Sequence, residues 1–227
     1  MKKTRSIVVG IISLIFVFFM KSTMSQTNGS LSRFEALSGK NVLDSKTEWD
    51  QKFLSKNYIF GKAPAKFLKE NYQIIAKRSV ILDMGMGEGR NAVFLATKGH
   101  KVIGIDISSV AVDKANALAR EFSTEIKGVV GSLDNYPIKN NSFDVILSFY
   151  YVDRKLIKKM KKWLKPGGLI FYEAHTLDKL EEGKLINKNY LVEKGEVLNF
   201  FKDMKVIKFQ EPDDGSYRSS VIVKKSK

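Results

Sequence analysis

The stretch Val80-Ile81-Leu82-Asp83-Met84-Gly85-Met86-Gly87-Glu88-Gly89-Arg90-Asn91 decides how this chain is read. A short apolar run, Ser79 to Met84, ends in a turn with glycine at every second position, and a helical pattern follows from Asn91 to Thr97. Such a turn brings backbone amides against a ligand with no side chain between them. The dinucleotide-binding spacing requires glycine at position 90, which is arginine, and the phosphate-cradling Gly-Lys-Ser/Thr ending is absent. A nicotinamide dinucleotide is therefore disfavoured. About twenty residues beyond the turn, at the end of the next apolar run (Lys101 to Asp106), stands Asp106, where a carboxylate can accept both hydroxyls of a ribose lying across two strand ends. Asp106 as a helix cap is the plainer alternative, but Ser108 or Ser109 can fill that role. For Asp83 it is a structural acid bonded to the loop amides. Together the turn and Asp106 point to a nucleoside-containing cofactor.

The pattern continues on both sides of this segment. Ile126 to Val130, Phe143 to Phe149 and Leu169 to Ala174 read as further strands, with helices over Val110 to Phe122 and Lys155 to Leu164. Strands spaced by helices of this length imply right-handed crossovers and a parallel sheet covered on both faces. Upstream, Trp49, Phe53, Phe67, Leu68, Tyr72 and Ile75 suggest two helices joined by a loop from Tyr58 to Pro64. Downstream, Val197 to Phe201 reads as a helix. Met204 to Glu211 and Tyr217 to Lys224 then flank the turn sequence Pro212-Asp213-Asp214-Gly215. The expected fold class is α/β: a Rossmann-like open sheet, mostly parallel, of seven strands with a C-terminal antiparallel hairpin and helices on both faces.

Composition narrows the chemistry. The 227 residues, 44% hydrophobic, suffice for one well-buried core, and the absence of cysteine excludes disulfides, thiolate catalysis and cysteine-based metal sites. With only His100 and His175 available, no metal site is expected. The net charge of +15 raises nucleic acid as a partner. Most of the basic residues are lysine, however, and Lys155, Lys158, Lys159, Lys161, Lys162 and Lys165 spread around more than one helix face. A solvated basic surface is preferred to an RNA groove.

The N-terminus has a secretory-signal layout: Lys2, Lys3 and Arg5, an apolar run from Ile7 to Met20, then Lys21 and the small polar stretch Ser22 to Gln26. The run falls short of the roughly 17 to 25 residues that span a bilayer as a helix. Cleavage after Ser25 and retention as a membrane anchor both stay open. The expected organisation is a signal peptide or anchor over 1–25, a linker over 26–46 and one domain over 47–227, exported or membrane-anchored. A cytosolic location stays open because the cofactor implied below is made there.

Asp83-x-Gly85-x-Gly87-x-Gly89, Gly104-x-Asp106, Asn141-Ser142-Phe143-Asp144-Val145-Ile146 and Leu164-Lys165-Pro166-Gly167-Gly168 together resemble the class I S-adenosylmethionine-dependent methyltransferases. Within that superfamily, Gly89-Arg90-Asn91 with Phe94-Leu95-Ala96, the segment Trp49-Asp50 through Tyr58-Ile59-Phe60-Gly61 to Phe67-Leu68, Phe149-Tyr150-Tyr151 and Gly195-Glu196 resemble the tellurite-resistance methyltransferase group. The resemblance implies S-adenosyl-L-methionine as cofactor. The loop from Gly85 to Gly89 would face its methionine part, beside Asp83. Asp106 would hold the ribose, Ile107 one face of the adenine, Ser132 and Leu133 its edge, and Phe149 would lie beside the sulfonium. The family usually has an acid where this chain has Ser132, which weakens adenine recognition without abolishing it.

The activity so implied is methyl transfer to a small-molecule acceptor such as a thiol or a chalcogen oxyanion. Tyr150, Tyr151, Arg154 and His175 are the candidate acceptor-side residues, with Arg218 in the final hairpin. An RNA or protein methyltransferase and a non-catalytic cofactor-binding protein of the same fold are the alternatives.

Overall fold

The computed structural model describes residues 42–182 and 187–227. The sheet is built around β1 (Val80–Met84), which pairs in parallel with β2 (Lys101–Asp106) on one side and β4 (Phe143–Phe149) on the other. A strand flanked on both sides and covered on both faces is mostly apolar, and this is why β1 reads as a near-continuous apolar run, broken only by Asp83, rather than an alternation. β3 (Lys127–Val130) adds beside β2, and β5 (Leu164–Thr176) beside β4. Two late strands, β7 (Lys205–Gln210) and β8 (Arg218–Lys224), are antiparallel and complete the order β3-β2-β1-β4-β5-β8-β7.

The structure adds an eighth strand to the seven expected. β6 (Leu191–Val192) is only two residues long and pairs with the end of β5 at His175 and Thr176. Periodicity cannot register so short a strand. β5 is also longer than its sequence suggested. Leu164 already pairs with Phe143, ahead of Pro166-Gly167-Gly168, and a register shift between Phe143 and Val145 absorbs the irregularity.

Among the described residues the helices are α1 (Val42–Phe53), α2 (Lys66–Asn71), α3 (Arg90–Thr97), α4 (Ser109–Glu121), α5 (Ile157–Trp163) and α6 (Glu196–Phe200). α1 begins at Val42, within the stretch 26–46 expected to be linker. α5 is preceded by a 3-10 turn over Arg154–Leu156, capped by the Asp153 side chain accepting from the Lys155 amide. One sheet face (Leu82, Met84, Ile105, Ile146, Ile170, Tyr172) packs with residues of α5. The other (Ile81, Val102, Val145, Leu147, Phe171) packs with Phe67 and Leu68 of α2 and Ala92 and Leu95 of α3.

Connections from β1 lead first to β2 and β3, then back across β1 to β4. That reversal opens a crevice at the C-terminal ends of β1 and β4, the place where open α/β sheets bind ligands. The signal peptide or anchor expected over 1–25, and nearly all of the expected linker, lie outside the described residues. Among the described residues no helix is long and apolar enough to cross a membrane.

Candidate active site

The glycine turn sits at the mouth of this crevice and is tied to β2, since the amides of Gly85 and Met86 both donate to the Ile105 carbonyl, at 2.9 and 3.2 Å. Gly85 has φ of +60°, and a β-carbon there would fall 2.6 Å from the Tyr151 ring. Conformation and space both demand glycine at that position.

Gly89 answers to a different constraint. It starts α3 with φ of +83°, and a β-carbon would lie 2.6 Å from Cβ and 3.0 Å from Cα of Ala115 in α4. The third glycine therefore also answers to helix packing. Gly89→Ala should destabilise the fold by about 1 to 3 kcal/mol through overpacking alone, read as a lower urea midpoint.

Two carboxylates flank the turn. Asp106 is buried, with Oδ2 accepting from the Gly87 amide at 2.8 Å and Oδ1 from the Ser108 amide at 2.9 Å. Ser108, not Asp106, caps α4, its hydroxyl accepting from Ala111. Burial pushes the Asp106 carboxyl up, against the backbone hydrogen bonds from Ser108, Gly87 and Ile107 that lower it. Asp83 is 2% exposed, and among the described residues its Oδ2 has no hydrogen-bond partner. Burial raises it to about 7, opposed by the Arg90 charge and reinforced by Asp106.

A raised carboxyl has a definite linkage sign. Native Asp83 holds its proton up to about pH 7, whereas the unfolded chain releases it near pH 4, so stability falls as pH rises across that window and levels off above it. Asp83→Asn should flatten that fall in a series of urea midpoints.

The crevice is roofed by aromatic residues. Phe53 of α1 approaches Gly87, with its ring 3.5 Å from the position of a β-carbon there, and it stacks on Trp49, which in turn meets Tyr190. Asp50 accepts from the Ser108 hydroxyl at 2.6 Å and pairs with Lys46. None of these roof contacts is visible in local sequence pattern, although the segment carrying Trp49 and Asp50 was singled out there.

The other expected site residues divide. Ile107 and Ser132 are half-buried next to the β2 and β3 ends, and the Ser132 hydroxyl accepts from the Asp134 amide at 3.3 Å. Leu133 and Phe149 instead put their side chains into the two core layers.

On the acceptor side, Tyr150 and His175 come together, with ring centroids 4.7 Å apart, and His175 Nδ1 lies 3.2 Å from the Tyr217 carbonyl. The Tyr150 hydroxyl donates to Glu173 at 2.5 Å. Burial, then the Glu173 charge, pushes this phenol up to about 12. Tyr151 lies against Gly85, and burial followed by the charges of Asp153 and Asp134 raises its phenol further. Arg154 is not held with them. Its guanidinium makes two hydrogen bonds to Glu196, at 2.6 and 2.9 Å, and one to the Leu191 carbonyl, fastening the turn before α5 to β6 and α6. Glu173 was missed in the sequence, where it is one polar position in an apolar strand.

Residues 81–168 match the family model of a methyltransferase domain. Over that segment, less than half of the chain, the protein is similar to a methyltransferase domain. A relative, the tRNA 5-carboxymethoxyuridine methyltransferase of Escherichia coli (strain K12), is 33% identical over 43% of this chain, and the match spans 41% of that protein, less than half its length. Solved structures extend the likeness across the sheet. An S-adenosylmethionine-dependent methyltransferase of Methanosarcina mazei superposes with a TM-score of 0.58 at 19% identity, over 72% of this chain and 99% of that one. TehB of Haemophilus influenzae gives 0.60 at 20% identity, over 78% of this chain and 67% of that one.

The cofactor that this likeness implies is S-adenosylmethionine, and the residues around the crevice fit it. A buried carboxylate oxygen on Asp83 lacks a donor beside a turn that admits no side chain at Gly85, and each Asp106 oxygen retains acceptor capacity beyond its one amide bond.

Proposed function

We propose that this chain is an S-adenosylmethionine-dependent methyltransferase acting on a small nucleophile such as a thiol or a chalcogen oxyanion. The observation that carries the cofactor half of this reading is the unpartnered, buried Asp83 oxygen beside the glycine turn, with Asp106 at the adjoining strand end. Asp83 would hold the ammonium of the methionine part and Asp106 the ribose hydroxyls. Ile107 would pack on the adenine, with Ser132 at its edge. When bound, S-adenosylmethionine supplies an electrophilic methyl group and leaves as a neutral thioether.

The residues around the crevice orient the reactants and exclude water. Phe53 and Trp49 cover the turn, and Tyr151 closes it from the β4 side. Both Tyr150 and Tyr151 keep their protons at neutral pH and so donate hydrogen bonds rather than act as bases. That favours an acceptor that needs little deprotonation by the protein, such as a thiol reacting as its thiolate or a chalcogen oxyanion.

Calorimetric titration of S-adenosylmethionine and S-adenosylhomocysteine into the full chain tests the first half. Micromolar binding of both is expected, and absence of binding by folded protein would turn the reading to a fold kept without its chemistry. An acceptor screen scored by S-adenosylhomocysteine release tests the second.

A transfer RNA acceptor is the other reading, favoured by the relative named above and by the +15 charge. Against it, several lysines around α5 are engaged within the fold: Lys161 with Asp203, Lys165 with Asp144, and Lys159 with the Asp134 carbonyl. Unmodified transfer RNA belongs in the same screen, and its methylation would replace the small-molecule reading.

A further inference from the structure

A cavity of about 410 Å³ lies between α2 and the β7–β8 hairpin, within the size range of small-molecule pockets. Its charged lining inverts that of the chain. Glu70, Glu173, Glu211 and Asp214 face it against Lys66 and Arg218, in a protein with 39 basic and 24 acidic residues. Both cations are already engaged, Lys66 with Glu70 at 3.8 Å and Arg218 with the Tyr150 hydroxyl.

Glu173 is the innermost acid, 2% exposed. Its oxygens accept from the Tyr150 hydroxyl at 2.5 Å and the Ser220 hydroxyl at 2.7 Å, and among the described residues it makes no direct ion pair. Two neutral hydroxyls satisfy its hydrogen bonding, and the Arg218 charge it feels is shared with Tyr150 and Asp214 rather than paired with it directly, whereas buried charges in proteins are as a rule directly paired. The cavity is where a counter-charge can enter.

This cavity adjoins the crevice through one residue. Glu173 stands opposite Phe149 in the β4–β5 ladder, and the Tyr150 amide donates to the Glu173 carbonyl at 2.7 Å. Tyr150 adopts a left-handed conformation, φ of 60°, that turns its ring between the Arg90 guanidinium, 5.5 Å away at the start of α3, and His175. Its ring thus faces the glycine turn through Arg90, while its hydroxyl joins Glu173 and Arg218 at the cavity wall.

We propose that this cavity seats a cationic group on the methyl acceptor. Resting on the methyltransferase reading above, this makes the acceptor a small nucleophile that carries an ammonium or similar cation remote from the reacting atom. A simple oxyanion has no favourable counterpart in the acidic lining.

The test uses three thiols matched in chain length and differing in terminal charge: aminohexanethiol, hydroxyhexanethiol and mercaptohexanoate. Each is titrated calorimetrically into the full chain saturated with S-adenosylhomocysteine. The cationic thiol should bind at least about tenfold more tightly than the other two, the gain of one charged contact. That preference should collapse in Glu173→Gln and in Glu70→Lys, the second a surface change on α2 that leaves the buried network intact. Equal binding of the three thiols, a preference for the carboxylate, no detectable binding of the amine, or a preference that survives both substitutions would each overturn the proposal. Titration of S-adenosylhomocysteine alone is read separately, so that a failure of the methyltransferase reading is distinguished from a failure of the cavity assignment.

Discussion

Lys114→Met should destabilise the protein by about 3 to 5 kcal/mol, the cost of leaving a buried charge without its partner. Lys114 projects from α4 and its ammonium donates to Glu88 in the middle of the glycine turn at 2.6 Å, as well as to the carbonyls of Phe53, Ser55 and Asn57 at 3.1, 2.7 and 3.0 Å. The Glu88 side chain is 2% exposed, so solvent cannot replace the lost cation. Methionine keeps the aliphatic stem and removes only the charge and the donors. The loss is read from urea denaturation at unchanged slope. The double variant Lys114→Met/Glu88→Gln should recover a substantial part of it, because no uncompensated charge then remains. A loss below about 1 kcal/mol would place the pair among solvent-screened surface bridges instead. The three carbonyls lie at and just beyond the end of α1, so the same substitution should also loosen the roof over the crevice and weaken cofactor binding.

Asp106→Ala should weaken S-adenosylmethionine binding by about 2 to 4 kcal/mol, the value of two hydrogen bonds to a charged acceptor. Part of the effect is indirect. Asp106 also holds the Gly87 amide, and through it the shape of the turn, so the variant loses both the ribose acceptor and the brace on the loop. Asp106→Asn separates the two. Its side-chain oxygen can still accept from one amide, so it should retain more of the turn's geometry while losing the charged acceptor, and its affinity should fall between wild type and alanine. Unchanged affinity in both variants would remove Asp106 from the cofactor site.

The features legible in the sequence are those that depend on neighbours along the chain. The apolar run of β1, the alternating glycines and the carboxylate at the end of β2 are set within one βαβ unit, where strand and turn chemistry act over a few residues. The alternation of strand and helix patterns implied a mostly parallel sheet with a closing antiparallel hairpin, while the strand order came from the structure. The sequence by itself therefore determined the class of sheet and the residues at the ends of β1 and β2, and the observed strand order then placed the crevice.

Tertiary structure decided what those residues touch. Gly89 reads as one more loop glycine until α4 brings Ala115 against it. Arg154 reads as an acceptor-side residue until folding brings Glu196 to its guanidinium. Glu173 reads as a strand position and becomes a buried acid beside a cavity only when β8, α2 and the end of β4 converge on it. In each case the partner lies far along the chain, and a periodic pattern records which face a residue takes but not which residue meets it there.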